Sequence, residues 1–219
     1  MRVQVYGGLC NRLRAVLSRL TPDGLTVVWE PNDEIAHGRF LDVFEPLPGV
    51  RFDEVAHPTD FKTLEPANGD WWPALARLKP VVDVRERIER AQGLLGGPYD
   101  AMHMRRTDHI DYARSTGGFT GDEDFRHFAA STDRPVYLAT DNGRTQRRML
   151  DWIGPRLHVP SLIDSEVEHD AGGCGRRFTT LADAVVDLYV CAGAVDFMGS
   201  GASSFTDTIH QLRALGSTS

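Results

Sequence analysis

Lysine is almost missing from this chain: Lys62 and Lys79 are the only two, and arginine supplies the rest of the 24 basic residues. A GC-rich coding sequence explains that bias without function, but arginine is also the better bidentate ligand for phosphate. Cysteine is equally scarce. Cys10, Cys174 and Cys191 stand far apart with no CxxC pair, which disfavours a zinc ribbon or thioredoxin-type centre. The odd count fits a reducing compartment. The eight histidines contain no HExxH and no close cluster, so no metal site is expected. No apolar run approaches the roughly 18 residues of a membrane span, and mean hydropathy is -0.31. Met1 to Tyr6 passes directly into an alternating strand pattern without a basic and then apolar leader, giving the expectation of a cytoplasmic protein. The net charge of -7 argues against non-specific nucleic-acid binding through a wholly basic surface, while leaving room for local basic pockets. Composition excludes collagen, disorder, coiled coil and disulfide scaffolds, and no internal repeat is visible.

What is present in these 219 residues is a regular alternation of short apolar strands and amphipathic helices. Strands are expected at 2–6, 25–29, 50–55, 99–104, 136–140, 156–159 and 194–198. Helices are expected at 12–20, 84–95, 122–130, 145–153, 180–192 and 203–215, with a short turn at 40–44. The stretch 56–69 reads as loop, 71–78 is ambiguous, and Gly172-Gly173-Cys174-Gly175 reads as a flexible loop beside Arg176 and Arg177. The pattern predicts an α/β protein with mostly parallel sheets. Gly96-Gly97-Pro98 punctuates it into two Rossmann-like lobes, 1–96 and 97–219.

In open parallel sheets ligands bind beyond the carboxyl ends of the strands, and three such loops are unusually polar. Gly7-Gly8-Leu9-Cys10-Asn11-Arg12 leads from the first strand into the first helix. Its glycines let backbone N–H groups approach an anion, with Arg12 and Arg14 adding charge; equally, they fit a tight turn. Neither GxGxxG nor the P-loop pattern is present. His103-Met104-Arg105-Arg106-Thr107-Asp108 follows the strand that opens the second half. His103 and Arg105 flank Met104 and project to one side. One arginine can clamp a diphosphate while the other pairs with Asp108; a surface ion pair is the plain alternative. Gly199-Ser200-Gly201-Ala202-Ser203-Ser204 opens the last helix and offers hydroxyls and N–H groups for phosphate or for capping. It lacks the outer glycines of GxSxG. Asp141 ends a strand, where it caps the next helix or meets the ligand. Asp187 lies inside the apolar run 184–190 and needs donors: guanine N1–H and N2–H₂, an arginine, or solvent at the helix edge.

Taken in order, these segments resemble the GDP-fucose-dependent fucosyltransferases, the superfamily of α-1,6-fucosyltransferases, rhizobial nodulation fucosyltransferases and protein O-fucosyltransferases. His103 to Asp108 is similar to HxRRTD, and Val136 to Asn142 to the strand ending in ATD. Asp187 to Ala194 with Phe197 to Ser200 and Ser203-Ser204-Phe205 is similar to the third motif, and Gly7 to Leu13 to GGxGNxL. Residues 15–98 show no match. The resemblance implies a compact GT-B architecture, two lobes facing a cleft, with 1–96 on the acceptor side and 97–219 binding the donor. It implies an inverting transfer of a sugar, fucose foremost, from a GDP-sugar to a glycan, peptide or small-molecule acceptor, without cofactor or obligatory metal; charge and hydropathy add the expectation of no nucleic-acid partner and no membrane span. A non-catalytic nucleotide-sugar binder and a transferase of another GDP-sugar are the alternatives.

By the same resemblance Arg105 contacts the β-phosphate and assists its departure. His103 and Asp187 meet the nucleoside, and Ser203 and Ser204, with Ser200 in the same loop, meet phosphate. Gly7, Gly8, Asn11 and Arg12 approach the diphosphate or sugar, with Asp141 supporting the donor site. The α-1,6 enzymes carry a glutamate, similar to a catalytic base, a few residues past RRTD. Here that position is Ala113, and the neighbouring Asp111 is the substitute.

Overall fold

The computed structural model describes residues 1–31, 35–67, 69–107, 109–164 and 179–216. The Gly172–Gly175 loop, Cys174, Arg176, Arg177 and Asp108 fall outside them.

Two four-stranded sheets form, and every strand pair in both is parallel. The first contains β1 (Arg2–Val5), β2 (Leu25–Val28), β3 (Val50–Asp53) and β4 (Phe61–Thr63), in the order β3-β2-β1-β4. The second contains β5 (Asp100–Met104), β6 (Val136–Thr140), β7 (Leu157–His158) and β8 (Phe197–Gly199), in the order β7-β6-β5-β8. The helices are α1 (Leu9–Leu17), α2 (Val82–Leu95), α3 (Ile110–Ser115), α4 (Asp122–Ala130), α5 (Gly143–Ile153), α6 (Leu181–Ala192) and α7 (Ser204–Gly216). In each sheet the chain starts near the middle, at β1 or β5, and strands are added to both sides. The loops after those central strands therefore meet at a switch point, where parallel sheets open a crevice.

Local chemistry accounts for the helix ends. Thr180 caps α6: its hydroxyl accepts the Asp183 N–H at 3.1 Å, and the Asp183 carboxylate accepts the Thr180 N–H at 2.8 Å. The Asn142 side chain caps α5 by accepting the Thr145 N–H at 2.8 Å. Gly96 closes α2 in the left-handed region, at φ 72°, as a glycine does without penalty.

The sheets divide at Gly96–Pro98, but the helices do not. α2 packs on α6, tied by the Arg87–Asp183 ion pair, and the Tyr189 hydroxyl of α6 donates to Leu78 O, ahead of α2, at 3.1 Å. α7 in turn packs on α1. One apolar core consequently runs from Val3, Leu13 and Val27 through Ile88 to Val185, Leu188 and Ile209. A smaller core of Met102, Met104, Phe125, Leu138 and Met149 fills the other face of the second sheet.

Two elements depart from the sequence expectation. β4 lies in the stretch read as loop; it is a three-residue edge strand with Phe61 largely exposed, so it carries no apolar alternation. α3 lies in a stretch for which the pattern gave no element; its six residues bury only Ala113. The last strand also lies further along, at Phe197–Gly199, and Val195 before it is exposed.

Candidate active site

The carboxyl ends of both sheets open on one cavity of 530 Å³. From the first sheet it takes Tyr6, Gly7, Gly8, Cys10 and Asn11 after β1, and Leu64 and Glu65 after β4. From the second it takes His103 and Arg105 at the end of β5, Thr140 and Asp141 at the end of β6, and Ala202 to Phe205 after β8. α6 adds Asp187, and α7 adds Asp207 from its first turn.

Strand register explains this convergence. His103 lies beside Ala139 on one side and Gly199 on the other, so Arg105, Asp141 and Ser200 leave the sheet together. A strand alternates its faces with a period of two. Met102 and Met104 therefore enter the smaller core, while His103 and Arg105 turn to the cavity as the sequence suggested. The His103 Nδ1 lies 2.9 Å from the Thr206 hydroxyl, and its ring packs 4.6 Å from Phe205.

The two arginines part company. Arg105 lines the cavity and pairs with Asp141, Nη1 to Oδ2 at 2.8 Å. Burial works to raise the Asp141 carboxyl, but the Arg105 charge, the Arg106 backbone N–H at 2.9 Å and His103 outweigh it. The group is held below the usual carboxylate range. Arg106 turns the other way and is buried. Its Nε and Nη2 donate to Asp122 Oδ1 at 2.9 and 2.7 Å, and Nη2 also donates to Thr120 O at 3.0 Å. The guanidinium sits over the Phe119 and Phe125 rings. The bracing arginine is thus Arg106, and its carboxylate is Asp122, at the start of α4.

The loop after β8 is shaped by close packing. A Cβ on Gly201 would lie 2.2 Å from Gly118 O, and one on Gly199 would lie 2.3 Å from Thr206 Cγ2. Ala202 takes a left-handed conformation, φ 55°. The Gly201 N–H donates to Thr120 Oγ1 at 3.1 Å, and its carbonyl lies 3.0 Å from His109 Nε2. These contacts hold Ser203 and Ser204 at the N-terminal edge of α7, where the helix dipole and open N–H groups favour an anion. Opposite them, Gly7 holds φ 82° in the turn before α1.

Three of the sequence-derived candidates do not line the cavity. Arg12 is fully buried behind the Gly7–Gly8 turn, donating from Nε to Gly7 O at 2.9 Å and stacking 4.9 Å over Trp29. Ser200 is buried too; its hydroxyl accepts the Arg105 backbone N–H at 3.0 Å and lies 3.3 Å from Arg106 Nη1. Asp111 points outward on α3, with its side chain 68% exposed and 4.0 Å from Arg114. The remaining candidates, Gly7, Gly8, Asn11, His103, Arg105, Asp141, Asp187, Ser203 and Ser204, share the cavity. Asp187 is buried in its wall and accepts the Tyr137 hydroxyl at 2.7 Å. Burial, first, and then the Asp187 charge push that hydroxyl well above its usual value, so it stays a donor. Sequence reasoning missed Glu65, Tyr112 and Asp207. Asp207 follows the serine loop by one helical turn, which was the available signal.

The solved structure of the NodZ α-1,6-fucosyltransferase soaked with GDP-fucose shares the fold, with a TM-score of 0.62 at 14% identity, over 96% of this chain and 92% of that one. NodZ from Bradyrhizobium gives 0.61 at 12%, over 95% and 91%. POFUT1 in complex with GDP gives 0.58 at 13%, over 97% and 95%. The fold is that of the GDP-fucose fucosyltransferases. In sequence, human GDP-fucose protein O-fucosyltransferase 2 is 29% identical over 126 residues, 55% of this chain. The aligned segment spans 27% of that relative, so the match covers about a quarter of its length. No family model matches the sequence. Within the fucosyltransferase fold the two sheets are the two lobes of a GT-B architecture, and the cavity is the cleft between them.

Proposed function

We propose that the chain is an inverting glycosyltransferase that takes a sugar, fucose foremost, from a GDP-sugar. One observation carries the reading: a phosphate-type helix N-terminus, a cavity-facing arginine and a buried carboxylate meet in a single cleft of ligand size. In this reading Arg105 and the Ser203–Ser204 edge of α7 receive the diphosphate, and the glycine turn before α1 closes over it. Asp187, with His103 beside it, receives the guanine and ribose.

Leaving of the nucleotide breaks the bond between the anomeric carbon and the β-phosphate oxygen, and charge grows on that oxygen. In this reading Arg105 and the α7 N–H groups meet that charge as it develops, so the transition state gains more than the ground state. The acceptor oxygen attacks from the opposite face and inverts the centre. The superfamily resemblance adds independence from metal, so turnover should persist after chelator treatment. It also favours a glycan, peptide or small-molecule hydroxyl as acceptor.

A second reading, a nucleotide-sugar binder without catalysis, is favoured by Ala113 at the glutamate position and by the outward direction of Asp111. Calorimetry with GDP followed by GDP release from GDP-fucose separates the two. Binding with release supports the enzyme, binding without release supports the binder, and absence of binding at millimolar GDP removes both.

A further inference from the structure

Behind the cavity wall at Asp187 stands a residue that never reaches the cavity. Asp187 lies on the side of α6 that packs on β5 and β6. In β6 the period of two sends Val136 and Leu138 to the smaller core, and Tyr137 and Ala139 to the main one, on the face that α6 covers. Ala101, opposite Tyr137 in the register with β5, is small and fully buried, which leaves room for the phenol. The Tyr137 hydroxyl reaches across the layer and donates to Asp187 Oδ1 at 2.7 Å. Tyr137 is 2% exposed and does not line the cavity, whereas Asp187, at 8%, does. Any effect of Tyr137 on a ligand must therefore pass through Asp187.

The charge on Asp187 decides which base it can receive. An ionised carboxylate only accepts hydrogen bonds, and its two oxygens hold about four lone-pair sites. Guanine presents two donors, N1–H and N2–H₂, and matches it even with one site taken by Tyr137. Adenine presents the acceptor N1 beside N6–H₂, and an ionised carboxylate repels that N1. A protonated carboxyl has one O–H donor and an acceptor oxygen, which is the pattern adenine needs. Burial beside Val186 and Leu188 works towards the protonated form, and a hydrogen bond from a hydroxyl works towards the ionised one. The Tyr137 hydroxyl is pushed well above its usual value, by burial first and then by the Asp187 charge, so it remains a donor through the neutral range.

We propose that Tyr137 is a positioning residue that sets the preference of the cleft for guanine over adenine, by holding Asp187 ionised and fixed in the wall. The proposal rests on the donor-site reading above and deepens it. Other ionisable groups surround the pair. Cys191 follows Asp187 by one turn of α6, and its thiol is raised by burial and then by the Asp187 charge, so it stays neutral. His103 of β5 lines the same cavity, and His158 of β7 lies beside Tyr137 in the register. Tyr99, ahead of β5, donates to Val190 O at 2.7 Å. α7 brings Asp207 to the cavity and Arg213 to Ala194 O, past the far end of α6. Arg87 of α2 is paired with Asp183. Histidine is the residue type that titrates near neutrality, so His103 and His158 are the groups to separate from Asp187.

Calorimetry on the whole chain with GDP and with ADP, from about pH 8 to about pH 5.5, makes the test. The GDP-over-ADP ratio cancels the titration of the phosphates, which both ligands share. Wild type is expected to prefer GDP across the range. Tyr137→Phe removes one oxygen and should bind GDP about tenfold more weakly at neutrality, the worth of one hydrogen bond to a charged group. Its ratio should fall by about tenfold more towards the acid end, with ADP bound no more weakly than by wild type. Adding Asp187→Asn to Tyr137→Phe should abolish that pH dependence, since both histidines remain. Equal weakening of the two nucleotides at every pH would be a general loss of structure and overturns the proposal. A Tyr137→Phe ratio that stays at the wild-type value does so too. A carbon-13 titration of the Asp187 carboxyl in wild type does not depend on the variant folding: it should stay ionised across the range, and protonation near neutrality overturns the proposal. A wild-type chain that binds GDP and ADP alike removes guanine reading by Asp187, and the proposal with it, but leaves the cleft as a nucleotide site. One that binds neither overturns the donor-site reading itself.

Discussion

Exchanging either of the two consecutive arginines for alanine should produce opposite phenotypes. Arg106 is buried, with two bonds to Asp122 and one to Thr120 O, and it joins the loop after β5 to the start of α4. Removing one partner of a buried pair costs about 3–5 kcal/mol when the other is left alone. Asp122 is not left alone, because Arg148 reaches its other oxygen at 2.5 Å, and its side chain is 21% exposed. Arg106→Ala should therefore cost about 2–4 kcal/mol, below the full range. For a chain of this size that is a fall in Tm of about 5–15 °C. Arg105 lies on the cavity wall and pairs with Asp141, which retains the Arg106 N–H. Arg105→Ala should cost about 1 kcal/mol or less in stability, since water reaches the vacated place. Its turnover should fall about 10²–10³-fold, the price of losing one preorganised contact to the leaving phosphate. Urea denaturation and GDP release on the two variants give the comparison. The reasoning is refuted if Arg105→Ala is the less stable protein, or if Arg106→Ala is as stable as wild type and loses only GDP binding.

Three further outcomes follow from the same geometry. Asp187→Ala should weaken GDP by about 10–100-fold, the worth of hydrogen bonds to a charged group, and erase preference over ADP; competition calorimetry reads this, and unchanged selectivity would contradict a guanine-reading role. Asp141 is held below the usual carboxylate range in the folded protein. Its stabilisation is therefore present above the ordinary unfolded value and lost as pH falls through the depressed one, and Asp141→Asn should flatten the acid side of a urea midpoint series between neutrality and pH 3. Gly201→Ala puts a Cβ 2.2 Å from Gly118 O, a backbone atom that cannot swing aside. It should cost about 1–3 kcal/mol and shift the serine loop, seen as a lower Tm together with weaker GDP binding.

Much of this arrangement was legible in the sequence because strand-ending loops carry their chemistry in adjacent residues. The period of two put His103 and Arg105 on one face before any coordinates, and Thr180 before an apolar run marked the α6 cap. What the sequence concealed was which neighbour each polar side chain would choose. Arg12 follows a glycine turn, just as a ligand-binding arginine would, but Trp29 and two carbonyls draw it behind that turn. Ser200 lies in a loop of small residues that suits an anion, yet it serves the backbone of Arg105. Short elements were hidden for a different reason. β4 and α3 have too few residues to express a periodicity, and β4 exists because β1 offers it a free parallel edge. Asp207 escaped notice because a carboxylate in a first helical turn is ordinary; only the packing of α1 on α7 brings it to the cleft.

The central claim is that the two sheets hold a guanosine diphosphate in the cleft between them. A crystal structure with GDP tests it most directly. The account predicts the diphosphate between Arg105 and the Ser203–Ser204 edge of α7, with the guanine against Asp187. A nucleotide bound elsewhere, or one lying in the cleft with its base at Arg105 and its phosphates away from α7, would contradict it.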